Sequence, residues 1–132
     1  MRPQTFFAAL VPLFLVGAAA IAGPVEECSV QSGSQVEIGN CLVPVAEAAD
    51  LVMAQALEFA TADARETDAA TGRAVAVPAL EAAQQAWLAF RDQHCDYVGA
   101  TFGGGSGTGI AIQGCRIEMA RARADALMRF VH

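Results

Sequence analysis

Four cysteines, Cys28, Cys41, Cys95 and Cys115, constrain this chain of 132 residues more than any other feature, and all of them lie downstream of an apolar leader. An even number of cysteines in a short exported chain reads as a disulfide framework. Three pairings are open. Joining sequence neighbours, Cys28 with Cys41 and Cys95 with Cys115, is favoured because each link closes a short loop. On the chain-entropy argument each such link contributes on the order of 3 kcal/mol at most. The domain left after the leader builds only a modest core, so two links carry weight.

The leader covers residues 1–22. Arg2 gives it a short positive start, the apolar run 6–16 is interrupted only by Pro12, and small residues end in Ala20-Ile21-Ala22. That A-x-A ending predicts a secretory signal peptide removed after Ala22. The apolar run is short for a membrane span and contains a proline, so no stable insertion is expected once the leader is gone. Val25, Glu26 and Glu27 are unlike the small apolar residues that precede a lipidated cysteine, so Cys28 is expected to carry no lipid. The expected domain is then 23–132, periplasmic or secreted. It retains all fourteen acidic side chains against seven arginines, a formal charge of −7, and the chain has no lysine. Such a surface is a poor match for nucleic acid or anionic lipid and suits a cationic partner.

Hydrophobic spacing predicts helices throughout. Residues 23–34 show no periodicity and are expected to form an arm tied down by Cys28. Ser34 with Glu37 three residues on reads as a capping box. Pro44 then either kinks the segment or opens a fresh helix. Val45, Ala48, Val52, Ala56 and Phe59 recur at helical spacing, and the pattern fades into a polar, mobile connection over 61–75, either irregular throughout or with a frayed helical tail. Pro78 suits the first turn of a second helix, with Glu81 near its positive end. Its stripe reads Leu80, Ala83, Trp87, Phe90 or Arg91, His94 and Val98, ending at Gly99. A glycine-rich loop, 100–109, leads to a third helix with Ile112, Cys115, Met119, Ala122, Ala126 and Phe130 on one side. Arg116, Arg121, Arg123 and Arg129 fall mostly off that side. No segment reads as a strand. The expected fold is all-α, a small bundle of about three helices stapled by two disulfides, with the second and third antiparallel.

The stretch AQQAWLAFRDQHC, 83–95, gathers Arg91, Asp92, His94 and Cys95 and so resembles an active site. Helix geometry disperses it. Neighbours such as His94 and Cys95 point about 100° apart and cannot readily share a proton. Ser106 lacks the strand-to-helix setting of a nucleophile elbow. His94 and Asp96 lack the spacing of a zinc pair, and Asp63, Glu66 and Asp68 lack that of a calcium loop. The glycine loop follows a helix and has no lysine, so neither phosphate-binding pattern fits. No catalytic residue, metal or cofactor is expected. Trp87, Arg91 and Cys95, four apart, share one stripe, where the guanidinium can lie over the indole and still reach a carboxylate.

Those residues carry a family resemblance. Ala83-Gln84-x-Ala86-Trp87-Leu88-x-Phe90-Arg91-Asp92-x-x-Cys95 is similar to the QRAWLxFRDxxC core of the LprI-type lysozyme inhibitor family. Gly104-Gly105-Ser106 matches that family's glycine-glycine-serine loop. Cys115, Arg121 or Arg123, and Leu127 match its following helix, and Cys28, Cys41 and Ala49-Asp50 match its upstream part. Met53-Ala54 and Leu57 depart from the Leu-Asn and aromatic usual in relatives. The resemblance implies a non-enzymatic, exported inhibitor whose partner is a cationic lysozyme. Trp87, Phe90, Arg91 and Asp92 are then expected to be structural. Gly103, Gly104, Gly105, Ser106 and Gly107 are expected to form the partner-binding loop. The alternative is a helical envelope adaptor with no effect on lysozyme.

Overall fold

A computed structural model describes residues 22–132; the expected leader, apart from Ala22, lies outside the described residues. The chain forms four helices, α1 (Pro24–Ser29), α2 (Gln35–Thr71), α3 (Ala76–Ala100) and α4 (Gly107–Met128), with no strand among the described residues. Cys28 is bonded to Cys41 and Cys95 to Cys115. The three long helices form the expected bundle, and α1 is the addition. The arm over 23–34 is thus not irregular throughout: Pro24 at the first position starts a short helix that Cys28 ties to α2.

The expected capping box opens α2. Ser34 Oγ accepts from the Glu37 amide at 3.3 Å, and the Glu37 carboxylate reaches back to the Gly33 amide at 2.7 Å. Pro44 neither breaks α2 nor begins a new helix; it sits exposed inside a continuous element. The larger correction concerns 61–75. The polar run remains helical to Thr71 because it is built mostly of alanine, glutamate and arginine, all good helix formers. Gly72, at φ 66°, stops it.

Asp68 explains how a polar segment can be so ordered. Its carboxylate accepts from the amides of Val75, Ala76 and Val77 at 3.0, 2.8 and 3.1 Å. Helix α3 begins at Val75 without a side-chain cap of its own, so a residue of the preceding helix supplies it. These amide hydrogen bonds hold the Asp68 carboxyl below its ordinary pKa.

The three long helices run up, down, up. Gln84 meets Arg123, Cys95 meets Cys115 and Gly99 meets Ile112, an antiparallel pairing of α3 with α4. Helices α2 and α4 run parallel, with Arg121 beside Val45 and Val52, and Ala126 and Leu127 beside Ala60 and Ala64. Their seam is the core: Leu42, Ala49, Met53 and Ala56 face Ile117, Ala120, Ala124 and Leu127, all buried. The buried side of α4 therefore differs from the expected one. Ala122 and Phe130 are exposed, and Gly114, Ile117, Ala120, Ala124 and Leu127 are inside. The sequence offered two overlapping helical registers of small residues, and the one bearing Leu127 and Ile117 buries more apolar surface.

Gly99 does not end α3, which continues to Ala100. A Cβ there would lie 2.5 Å from Ile112 Cγ1, so glycine is what lets α4 approach.

Two outcomes follow. Gly99→Ala should destabilise the fold by about 1–3 kcal/mol, as overpacking does, and an added Ile112→Ala should recover much of the loss in urea unfolding. Asp68 has its folded pKa depressed, so its contribution is complete at neutral pH and fades as pH falls through that lowered value. Asp68→Ala should melt below the parent at pH 7, with the difference shrinking toward pH 2 when followed by circular dichroism.

Candidate functional site: a braced scaffold and its glycine loop

Trp87 lies half-buried on α3 where the three long helices meet. The guanidinium of Arg91, one turn on, sits 5.2 Å from the ring, and that of Arg123, from α4, 5.8 Å. Arg91 also donates to Asp50 of α2 at 3.1 Å. Its Nε is buried without a hydrogen-bond partner, with Asp92 Oδ1 at 3.5 Å. Arg123 donates through Nε to Gln84 Oε1 at 3.0 Å; Gln84 is the buried polar residue of the core. One indole thus gathers two arginines, each fastened to a different helix. An amide inside a stripe of apolar residues requires a partner, which is the signal in the sequence for the Gln84–Arg123 bond.

The expected stripe on α3 is accordingly adjusted. Trp87, Arg91 and Cys95 share a face as predicted, and Gln84 and Gly99 join them. Ala83, Phe90 and His94 do not. Phe90 and His94 stack on each other at the surface, with ring centroids 5.4 Å apart. Asp92 is exposed and also holds Arg116 at 3.7 Å, so it ties α3 to α4 from outside. Arg123, expected to point away from the packed side, is half-buried against Trp87.

The glycine loop is shorter than 100–109, because α3 runs to Ala100 and α4 starts at Gly107. Gly103 and Gly104 have φ of 67° and 83°, left-handed values that a side chain would strain. Gly103, Gly104, Gly105 and Ser106 are exposed, and Gly107 packs under the ring of Phe102. Phe102 is itself 56 % exposed, and Tyr97, five residues before it, 67 %. The Cys95–Cys115 bond closes the base of this loop. The Cys28–Cys41 bond lies at the same end of the bundle, where α1 covers the start of α4.

Charge at this end is mostly negative. Glu27 pairs with Arg121 through two hydrogen bonds of 3.1 and 3.2 Å. That hydrogen bonding holds its carboxyl below the usual pKa. Glu26 and Glu118 have no ion-pair partner among the described residues, Asp92 lies between Arg91 and Arg116, and Asp96 pairs with Arg116. No group of three His, Cys, Asp or Glu side chains among the described residues could hold a metal ion.

The fold and site define a disulfide-stapled, all-helical domain that presents an acidic, glycine-tipped end. The chain belongs to the LprI lysozyme inhibitor family, whose pattern, described as "Lysozyme inhibitor LprI", matches residues 26–127. It is similar to the uncharacterized protein R02472 of Rhizobium meliloti (strain 1021). The two are 31% identical over 99 aligned positions, and the match covers 71% of this chain and 71% of that one. No solved structure matches the chain.

The brace predicts a stability phenotype. Arg91→Leu removes a buried stack and a hydrogen bond and should cost about 1–3 kcal/mol in urea unfolding. Asp50→Ala, whose carboxylate is largely exposed, should cost under about 1 kcal/mol. Neither change should alter whatever the loop end binds once the protein is folded.

Proposed function

We propose that this is an exported, non-enzymatic binding protein that inhibits lysozyme and so protects the cell wall. Membership of the inhibitor family over nearly the whole described domain carries this reading. Physical support comes from two features. The acidic surface favours encounter with a cationic enzyme by long-range attraction. Of the loop formed by Gly103, Gly104, Gly105, Ser106 and Gly107, all but Gly107 are exposed, and the Cys95–Cys115 bond fixes the helices at its base, so glycine backbone without side chains is presented where it can approach a cleft closely. The leader over 1–22 would deliver the chain to the oxidising compartment that the two disulfides require.

The test is lysis of cell-wall substrate by lysozyme with the oxidised protein in micromolar excess. Inhibition should appear and should weaken as salt rises. Gly105→Arg, at an exposed loop position where a side chain meets nothing closer than 3.8 Å, should weaken inhibition at least about tenfold without unfolding the domain. Unslowed lysis, together with a stable envelope partner in pull-downs, would point instead to an adaptor.

A further inference from the structure

We propose that the amino terminus created by leader removal, Gly23, is held as an ammonium ion between the carboxylates of Glu26 and Glu118. The proposal rests on cleavage after Ala22. The two carboxylates come from different helices and converge on one spot. A Cβ placed on Gly23 would lie 2.6 Å from Glu26 Oε2 and 2.8 Å from Glu118 Oε1. The Gly23 nitrogen is two bonds from that point, roughly 2.5 Å away by standard backbone dimensions. Neither carboxylate has an ion-pair partner among the described residues, and the neighbouring Arg121 is engaged by Glu27.

Both carboxylates are exposed, so water screens their mutual repulsion, and a cation placed between them adds the modest attraction of a surface ion pair. Helix α1 is fixed by Cys28–Cys41 and by Val25 pressed on Gly114, where a Cβ would come within 2.6 Å of Val25 Cγ2. The groove of about 250 Å³ beside them is lined by Val25, Val98, Phe102 and Met119, with His94 of α3 as its other titratable side chain. Helix α2 contributes Gln35 and Ile38 to the adjoining groove, neither of them charged.

In the uncleaved chain the Gly23 nitrogen is an amide with one neutral N–H. Hydrolysis by a leader peptidase breaks the Ala22–Gly23 bond. The hydroxyl of water goes to the Ala22 carbonyl carbon and the proton to the Gly23 nitrogen. At neutral pH that amine takes up a further proton and becomes an ammonium with three donors. The Gly23 carbonyl already accepts from the Glu27 amide at 2.9 Å, which holds the residue at the start of α1. Cleavage therefore creates a cation within reach of both carboxylates, one on α1 and one on α4, and pairing with them ties the two helices together.

The absence of lysine makes the test clean, since the α-amine is the sole primary amine of the cleaved chain. The full chain, exported by a bacterial host with its leader, is purified and its terminus read by mass spectrometry. The uniformly ¹³C,¹⁵N-labelled protein is then titrated by NMR on the Gly23 Cα resonance, which reports the unmodified amine. The terminus should be Gly23, and its amine should titrate above the ordinary range of about 7.7–8.0. That elevation should vanish in the Glu26→Gln/Glu118→Gln double variant, and diminish in each single variant. Acetylating the amine should lower the melting temperature by about 2–5 °C in the parent and leave the double variant unchanged. A terminus elsewhere would overturn the leader reading and the pairing with it. A Gly23 terminus that titrates in the ordinary range would overturn the pairing alone.

Discussion

The bundle depends on how closely α2 and α4 approach. Their seam is made largely of Ala49, Ala56, Ala120 and Ala124, with Leu42 and Ile117 as its largest fully buried side chains. Small residues let two helices lie near each other, but each buries little apolar surface. A seam of this kind fixes geometry well and contributes modest stability. The remaining devices in the molecule answer that shortage. Two disulfides, an indole held by two arginines and a carboxylate shared between helices each add fixation that an alanine-rich core does not supply.

These devices are unevenly placed. Both disulfides, the short α1 and the glycine loop occupy one end of the bundle. Asp68 and the hydrogen bond from the His132 amide to Asp63 occupy the other. Trp87 and its arginines stand between. Covalent restraint is thus spent where a loop must keep its shape while exposed, and hydrogen bonds suffice where helices merely turn.

Much of this was legible in the sequence, and the failures have definite causes. Cysteine spacing led to the pairing, and the Ser34 cap and the shared face of Trp87, Arg91 and Cys95 followed from local rules. The long tail of α2 was misread because polarity was taken for irregularity. Its alanines favour helix, a local signal outweighed by its polarity in the reading, and Asp68 then ties its end to amides seven to nine residues on, a contact that no local pattern reports. On α4, alanines on several faces left the register undecided, and Phe130 drew the expectation to the wrong side. Gly99 was taken as a stop when its function is steric. Arg123 was placed outside because arginine usually is, whereas Gln84 and Trp87 together hold it in. The acidic residues are spread over both ends of the bundle; that Glu26 of α1 and Glu118 of α4 come together near the loop is a product of the fold.

The position of the two cross-links has a consequence for when the protein becomes competent. In a reducing compartment the helices can still pair along the alanine seam, but the end that carries the tip has lost both of its ties. Oxidation restores both ties at that end. On the export proposed above, both form only after the chain has left the reducing compartment, so the end proposed to meet a partner takes its final form last.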